Sequence, residues 1–411
     1  MSRTRPAGPI LKGCAVIVIG GVLGIVALFV SLRLEQRTEV TLPAPTGPFA
    51  VGRGIYDWTD ATTSDTLAPI PGTKRELLVW IWYPSTAGDS AAVIADYVPA
   101  QMRPKGDYAS APLIFRLLTR DPAKVHGHSL RDSEVSPRQR SYPVAIIRAG
   151  ASAQVVNYST LAEDLASHGY VVVGFDAPYR TNVVVFPDGR VMIRRPENNP
   201  ELAMGAADSA HLINKLLSAW TGDIAFVLDR LQRLNASDSS GKFKGRLDMA
   251  RVGVFGHSFG GAAAAQFCHD DSRCKAGIDV DGAPLGSVVK GGLHQPFMFI
   301  LSDQIHAKDP ETRQILADIQ SIYDRLPPDK RLRITIDGAN HFTFSDDGAL
   351  LKSGLVRGAL RVFGKLGIDG RRQLAITAYS VSSFFDAYLK GPGTSQPRIA
   401  SPLYAEIQIL Q

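Results

Sequence analysis

A serine between two glycines is the strongest chemical signal in the sequence. The run Gly256-His-Ser-Phe-Gly260 fits G-x-S-x-G, a pattern in which a serine nucleophile lies on a sharp turn between a strand and a helix. Residues 252–255 indicate a short buried strand, and Gly261 with four alanines opens a helix. The N-terminus of that helix would direct free N–H groups at charge developing on a substrate. We therefore predict that Ser258 is a nucleophile; the alternative is a serine that only caps the helix.

Three later residues have the chemistry to activate a serine. Asp281, Asp303 and His341 each follow a predicted strand, and functional groups of open α/β sheets gather beyond the carboxyl ends of the strands. A histidine can take the serine proton, while a carboxylate fixes the imidazole tautomer and stabilises the imidazolium. The order Ser, Asp, His is that of α/β-hydrolases. Spacing suggests Asp303 as the acid, but Asp281, one strand earlier, is an open alternative. His257 is expected to point away from the nucleophile.

The elements that must position these residues alternate along the chain. Apolar strands at 143–147 and 170–175 flank a helix over 161–168, which indicates a parallel sheet buried on both faces. Further strands are predicted at 77–83, 276–280, 296–301 and 331–336, helices over 111–120, 207–234 and 374–389, and a hairpin at 183–194. We expect an α/β-hydrolase fold with a mostly parallel central sheet and helices on both faces, preceded by one transmembrane helix.

The N-terminal region predicts a membrane anchor. Residues 13–32 contain no charge, which is long enough to cross the hydrocarbon layer as a helix. Basic residues favour the N-terminal flank, so a cytoplasmic N-terminus and a translocated, periplasmic or extracellular body are expected. The alternative is secretion after signal cleavage, although the run is long and lacks a small-x-small cleavage site. The expected divisions are a basic tail (1–12), the anchor (13–32), a proline-containing linker (33–46), the α/β-hydrolase domain (47–395) and a C-terminal tail (396–411).

Composition narrows the classes of function. The 411-residue chain is 45% apolar and 20% charged with a net charge of +6 and has no long Lys/Arg run, so nucleic acid is not an expected partner. Cys268 and Cys274 form a disulfide if the domain is exported, or stay as two thiols; both alternatives are open. Neither this pair nor His126-Gly-His128 has the further ligands of a metal site. No metal or other cofactor is expected.

Several segments resemble one family. Residues 256–262 are similar to the nucleophile turn of the plasma-type and type II platelet-activating factor acetylhydrolases, and residues 164–170, 47–52 and 82–84 share that similarity. It extends, with gaps, from about residue 47 to residue 389, and it implies Asp281 as the acid and His341 as the base.

The same resemblance bears on the oxyanion hole, which needs two N–H groups. One is expected from Phe259. The family usually has His-Gly-x-Gly after the strand at 143–147, whereas this chain has Arg148-Ala-Gly-Ala-Ser152. Matching back from Tyr158 places the second donor at Ala151, with Gly150 as the neighbouring candidate.

The resemblance implies a serine carboxylic-ester hydrolase that works through an acyl-enzyme. The implied substrates are small-molecule or lipid esters with short acyl chains, such as the sn-2 acetyl group of platelet-activating-factor-like phospholipids. The membrane is a further expected partner through the anchor, and the oligomeric state stays open. Because function resides in the pocket and not in the fold, an acyltransferase and an esterase for other small esters or polyesters are alternatives. A non-catalytic, membrane-tethered binding domain is a further alternative, but such domains usually lack a triad member.

Overall fold

A computed structural model describes residues 8–86, 93–106, 116, 120–151, 153–205, 208–306, 309–350, 358, 367–391 and 397–410. The helix predicted over residues 111–120 lies outside these ranges except for two residues. The helices are α1 (Gly8–Gln36), α2 (Ser159–Ser167), α3 (Pro200–Met204), α4 (Ser209–Ser237), α5 (Phe259–Asp270), α6 (Val288–Gly291), α7 (Pro310–Arg325), α8 (Asp347–Leu350) and α9 (Gly370–Phe385). The strands are β1 (Val40–Thr41), β2 (Ala50–Ser64), β3 (Lys74–Ser85), β4 (Ile94–Asp96), β5 (Val125–Arg131), β6 (Tyr142–Arg148), β7 (Val171–Asp176), β8 (Val183–Val185), β9 (Val191–Ile193), β10 (Leu247–His257), β11 (Cys274–Val280), β12 (Phe297–Leu301), β13 (Arg331–Ile336) and β14 (Ile407–Ile409).

One large sheet organises the domain. Its strand order is β1-β5-β2-β3-β7-β6-β10-β11-β12-β13-β14, with β4 beside β5. The strands from β7 to β13 run parallel to their neighbours, whereas β3 is antiparallel to both β2 and β7. The predicted hairpin forms from β8 and β9. The expectation of a mostly parallel sheet with helices on both faces is confirmed.

The apolar strands form this sheet because both of its faces are covered. Val144 and Ile146 of β6 belong to a core that includes side chains of α4, α5 and α7. The alternate residues Ala145 and Ile147 belong to a second core that includes side chains of α2 and α9. Successive side chains of a strand point to opposite faces, so a run apolar at every position suits a strand buried on both sides.

Both flanks of the predicted domain contribute to the sheet. In the predicted linker, β1 pairs with β5, Leu42 is buried, and the Thr46 N–H and hydroxyl donate to Asp164. In the predicted C-terminal tail, β14 pairs antiparallel with β13, and Asp337 donates its N–H to the Glu406 carbonyl at 2.9 Å. Residues predicted as a linker and as a tail therefore take part in the sheet, and pairing by two or three residues leaves no hydrophobic periodicity to detect in the sequence.

The N-terminal helix α1 contains a candidate membrane span. Its residues Ile19–Gln36 are long and apolar enough to cross a bilayer, judged by length and composition. The side chains of this span are almost entirely uncovered by the rest of the protein. A signal sequence near the N-terminus would have the same properties, so the helix is compatible with an anchor and with a signal peptide.

A buried ion network underlies one side of the site. The Arg180 guanidinium donates to the carboxylates of Asp223 and Asp65 over distances of 2.7–3.0 Å. The Arg148 guanidinium lies 3.8 Å from Asp223 and 4.0 Å from the ring centre of Trp220. Burial lowers the pKa of Arg148 to about 10 against the opposing charge of Asp223. Arg148 therefore remains a cation at neutral pH.

We expect the Arg180→Met variant to lose about 3–5 kcal/mol of unfolding free energy, because it removes the cation that binds two buried carboxylates. Asp65 then loses its ion pair, and Asp223 keeps only the longer contacts with Arg75 at 3.4 Å and Arg148 at 3.8 Å. Arg190 is the matched control, since it pairs with Glu76 but its side chain is 42% exposed. The Arg190→Met variant should lose less than about 1 kcal/mol. Denaturant unfolding of the full-length chain in detergent measures both values, and equal losses would contradict the prediction.

Candidate active site

Ser258 occupies the turn between β10 and α5. Its backbone angles are φ 57° and ψ −129°, which are unfavourable for a residue with a side chain. The turn is tight, because a Cβ on Gly256 would lie 2.2 Å from the Gly260 carbonyl oxygen, and a Cβ on Gly260 would lie 2.4 Å from the Ala149 carbonyl oxygen. Ser258 is fixed by its N–H, which donates to the Val280 carbonyl at 2.9 Å. The two glycines thus permit the strain that exposes the serine.

The structure brings His341 to Asp281 and not to Asp303. His341 Nδ1 lies 2.8 Å from Asp281 Oδ2, and the Ser302 N–H donates to Asp281 Oδ1 at 2.7 Å. Asp303 instead accepts the Gly338 N–H at 2.6 Å. Asp303 therefore contacts the loop that leads to the histidine. Asp281, the acid implied by the resemblance, thus binds His341 itself. Asp303, the acid suggested by spacing, binds the backbone of the preceding loop.

Asp281 is stabilised as a carboxylate. Burial would raise the pKa of its carboxyl group, but the hydrogen bonds from His341 and Ser302 lower that pKa below its usual value. An ionised Asp281 accepts the Nδ1–H of His341, so Nε2 is the nitrogen left to act as a base. Asp281 also has a positive φ of 54°. This directs the residue out of β11 in a conformation that few residues other than glycine adopt.

Gln373 of α9 fixes the loop that contains His341. Its side-chain oxygen accepts the Asn340 N–H at 3.1 Å, and its side-chain nitrogen donates to the Asn340 carbonyl at 2.9 Å. Asn340 in turn caps the short 3-10 turn His341–Phe344 by accepting the Phe342 N–H at 3.0 Å. Gln373 is not among the residues predicted from the sequence, because the last helix is predicted to begin at residue 374. A buried glutamine at the start of an apolar helix was the available signal.

Ser258, Asp281 and His341 line one pocket of about 240 Å³. Much of the rest of its wall is apolar and comes from β12, the turn that follows it, and α7: Leu301, Ile305, Ile315, Leu316 and Ile319. Glu311, near the start of α7, adds a carboxylate. The pocket can therefore hold an apolar group next to the serine.

The candidate oxyanion donors lie on two elements. Phe259 is the first residue of α5, where backbone N–H groups have no partner within the helix. On the loop after β6, the Gly150 N–H donates to the Tyr158 hydroxyl at 3.2 Å, so Gly150 is already engaged. Ala151 follows it, and its carbonyl accepts from Arg194 at 2.7 Å. Ala151 remains the better candidate of the two.

His257 binds a residue of another element and does not point away from the site. Its Nδ1 lies 2.8 Å from the Tyr158 hydroxyl. Its ring centre is 4.5 Å from that of His341, at an interplanar angle of 40°. The contact between the two histidine rings was not predicted from the sequence, which favoured an orientation of His257 away from the nucleophile.

The other sequence candidates lie away from the serine. His126 Nε2 is 3.5 Å from Glu39, and His128 Nε2 is 3.0 Å from the Leu42 carbonyl. Across the described ranges, no group of three or more His, Cys, Asp or Glu side chains is arranged to hold a metal ion. Cys268 and Cys274, for which the sequence left a disulfide and two free thiols as alternatives, form a disulfide.

These features define the α/β-hydrolase class: a mostly parallel sheet, a serine on a strand-to-helix turn, and an acid and a histidine after later strands. The chain also matches the family model "Platelet-activating factor acetylhydrolase, isoform II" over residues 34–182 and 208–391. It belongs to that family, as the sequence resemblance implied.

Named relatives and a solved structure agree with this class. The chain is 27% identical over 400 residues to a probable 1-alkyl-2-acetylglycerophosphocholine esterase of Arthroderma benhamiae, covering 90% of this chain and 93% of the relative. It is 26% identical over 343 residues to the platelet-activating factor acetylhydrolase of Cavia porcellus, covering 77% and 71%. A ferulic acid esterase from Streptomyces cinnamoneus superposes with a TM-score of 0.71 at 25% identity, covering 90% and 99%. The chain is a carboxylic ester hydrolase.

A second buried carboxyl group lies beside the acid. Asp279 Oδ1 accepts the Gly282 N–H at 2.9 Å, and a Cβ on Gly261 of α5 would lie only 1.9 Å from the same oxygen. Burial, with a smaller contribution from the charge of Asp281, raises the pKa of Asp279 to about 8 against the lowering effect of the Gly282 hydrogen bond. Asp279 is therefore largely protonated at neutral pH.

We predict that Asp279→Asn weakens the pH dependence of stability. As pH rises from 3.8 to about 8, the unfolded chain releases this proton while the folded chain keeps it. Asp279 therefore contributes to the free energy of unfolding below that pH range, and the contribution is lost as pH rises through the range. The loss is at most about 1.4 kcal/mol per pH unit. Urea unfolding of the full-length chain at about pH 5 and about pH 8 measures the change.

Asp346 is the companion site for this measurement, because burial raises its pKa to about 8 as well. Asp346→Asn should weaken the pH dependence of the unfolding free energy by a similar amount. The double variant should weaken it more than either change alone. Identical pH profiles for the wild type and the Asp279→Asn variant would contradict the prediction.

Proposed function

We propose that this protein hydrolyses carboxylic esters through a triad of Ser258, His341 and Asp281, with an acyl-enzyme intermediate. The observation that supports the triad best is the 2.8 Å contact between His341 Nδ1 and Asp281 Oδ2 in a pocket that Ser258 also lines. A histidine oriented by a carboxylate has its second nitrogen available as a base. Ser258 is the nucleophile, His341 the general base and acid, and Asp281 the group that orients His341.

The reaction has two halves. Ser258 Oγ attacks the ester carbonyl carbon while its proton passes to His341 Nε2, and the N–H groups of Phe259 and Ala151 receive the oxyanion. The intermediate collapses, and His341 returns the proton to the departing alcohol. Water then attacks the acyl-enzyme, giving its proton to His341, and the acid leaves as the Ser258 hydroxyl is restored. Asp281 stabilises the imidazolium in both halves.

The proposed substrates are small or lipid esters with short acyl groups, such as the sn-2 acetyl group of platelet-activating-factor-like phospholipids. Support comes from the names of the two relatives, which describe an acetylhydrolase and an alkyl-acetylglycerophosphocholine esterase. The apolar wall next to Ser258 suits an acyl group. The likeness to a ferulic acid esterase keeps other small esters and polyesters as the second candidate class. Product analysis with added alcohol separates a hydrolase from an acyltransferase.

We further propose that α1 anchors the enzyme in a membrane, with the N-terminus cytoplasmic and the catalytic domain translocated. The apolar span within α1 supports an anchor. The Cys268–Cys274 disulfide supports an oxidising compartment for the domain, because such bonds are rare in the cytosol. Secretion after cleavage of a signal peptide is the alternative topology, and it would leave the same disulfide.

Ser258→Ala should reduce kcat for p-nitrophenyl acetate or butyrate by about 10⁶-fold, since no other group takes the place of the nucleophile. The full-length chain in detergent is assayed with p-nitrophenyl esters from acetate to palmitate, and activity should be greatest for the short acyl groups. Unchanged folding of the variant, measured by circular dichroism, is the control. Hydrolysis that survives in the variant would exclude Ser258 as the nucleophile.

The two candidate acids should respond differently to the same change. Asp281→Asn should lower kcat by about 10³- to 10⁴-fold, because an amide favours the wrong imidazole tautomer. Asp303→Asn is the matched control; its amide oxygen can still accept the Gly338 N–H, so kcat should fall by less than about 10-fold. A larger loss in the Asp303→Asn variant would reverse the assignment.

A further inference from the structure

Two residues outside the proposed triad, Tyr158 and His257, connect the loop after β6 to the proposed base His341. The Tyr158 hydroxyl accepts the Gly150 N–H at 3.2 Å and lies 2.8 Å from His257 Nδ1. The His257 ring lies against that of His341, with centres 4.5 Å apart. The hydroxyl thus contacts the loop that bears the candidate oxyanion donor, and the imidazole contacts the proposed base.

The direction of the second hydrogen bond follows from counting donors. A phenol has one hydrogen, and a neutral imidazole has one N–H and one acceptor nitrogen. In the described part of the chain, the Tyr158 hydrogen has no acceptor other than His257 Nδ1. If Tyr158 donates to Nδ1, the neutral imidazole carries its own hydrogen on Nε2, the nitrogen left to contact the backbone of His341. The reverse direction leaves the phenol hydrogen without an acceptor, so Tyr158 is the donor.

The result is an ordered chain from Gly150 N–H to Tyr158 O–H to His257 Nδ1, in which each bond polarises the next. Space around the chain is limited. A Cβ on Gly150 would lie 3.4 Å from His257 Nδ1 and 3.3 Å from Ser258 Cβ. The loop after β6, the nucleophile turn and His257 are therefore packed directly against one another.

We propose that Tyr158 and His257 form a positioning pair, which fixes the oxyanion loop through Gly150 and the ring plane of the base through contact with His341. The proposal rests on the proposed function, because it assumes that His341 is the base. Neither residue touches the reacting atoms in this role. Tyr158 acts through Gly150 and His257, and His257 acts through His341.

The pair must stay uncharged to serve this purpose. His341 becomes an imidazolium when it takes the serine proton, and a second cation against its face would oppose that step. Burial and, to a smaller extent, the nearby His341 together lower the pKa of His257 to about 3, against the raising effects of Asp281 and of the His341 backbone.

A phenylalanine at position 257 would preserve the ring contacts with His341 and with Phe344, whose ring centre is 5.7 Å away. The imidazole differs from it in its polar contacts, because it binds Tyr158 and also approaches the backbone of His341. Both contacts place His257 between the oxyanion loop and the proposed base.

The test compares four variants of the full-length chain in detergent: Tyr158→Phe, His257→Phe, the double variant and Tyr142→Phe. Tyr142 is the matched control, because its buried hydroxyl also donates one hydrogen bond, to the Ser136 carbonyl at 2.9 Å, at the far end of β6. We measure kcat, KM and the melting temperature with p-nitrophenyl acetate. The Ser258→Ala variant gives the background.

Tyr158→Phe and His257→Phe should each lower kcat by about 10- to 100-fold, the range expected for a misplaced catalytic group, with KM within about twofold. The loss in the double variant should be far smaller than the product of the two single losses, because both single changes remove the hydrogen bond between Tyr158 and His257. Tyr142→Phe should leave kcat within about twofold of the wild type.

Three results would overturn the proposal. A kcat for Tyr158→Phe equal to that of Tyr142→Phe would show that the hydroxyl does not act on the site. Independent, multiplying losses in the double variant would show that the two residues do not act as a pair. A wild type without Ser258-dependent turnover would overturn the proposed function together with the pair, whereas the first two results leave that function intact.

Discussion

The close approach of backbone to backbone at the nucleophile turn is the constraint on which the site depends. Gly256 and Gly260 let β10, α5 and the loop after β6 meet at distances that a Cβ would prevent. That contact places Ser258 beside the loop with the candidate oxyanion donor, and the Ser258 N–H then fixes the turn to the end of β11. The residue that follows β11 is Asp281, so the nucleophile and the candidate acid are positioned by adjacent strands.

Several charged side chains are buried on one side of this turn. Arg148 begins the segment Arg148-Ala-Gly-Ala-Ser152, which this chain has where the family usually has His-Gly-x-Gly. Its guanidinium lies against Trp220, which contacts Phe259 edge to face with ring centres 4.8 Å apart. The cation is compensated by Asp223, which Arg180 also binds. The departure from the family pattern is thus accompanied by a network of aromatic and ionic contacts that supports the first residue of α5.

The sequence predicted those parts of the molecule that depend on local patterns. The apolar runs around residues 143–147 and 170–175 became β6 and β7, and the G-x-S-x-G pattern lies between a strand and a helix. Parts that depend on a few long-range hydrogen bonds were not predictable: β1 and β14 pair over two or three residues, and Gln373 reaches the His341 loop from α9. The ring contact of His257 with His341 was also missed, because it depends on the path of a distant loop. Spacing favoured Asp303 as the acid, and only the resemblance implied Asp281, the residue that His341 contacts.

The pairing of β1 with β5 limits how far the catalytic domain extends from α1. Only Arg37, Thr38 and Glu39 separate the end of that helix from the sheet, a span of about 11 Å at most. Gln36 and Glu35 also form hydrogen bonds with Arg116 and Arg120. Where α1 spans a bilayer, such a short tether keeps the domain at the lipid surface and prevents free tumbling. The enzyme would then meet its esters by lateral diffusion in two dimensions, which favours molecules that partition into the same membrane.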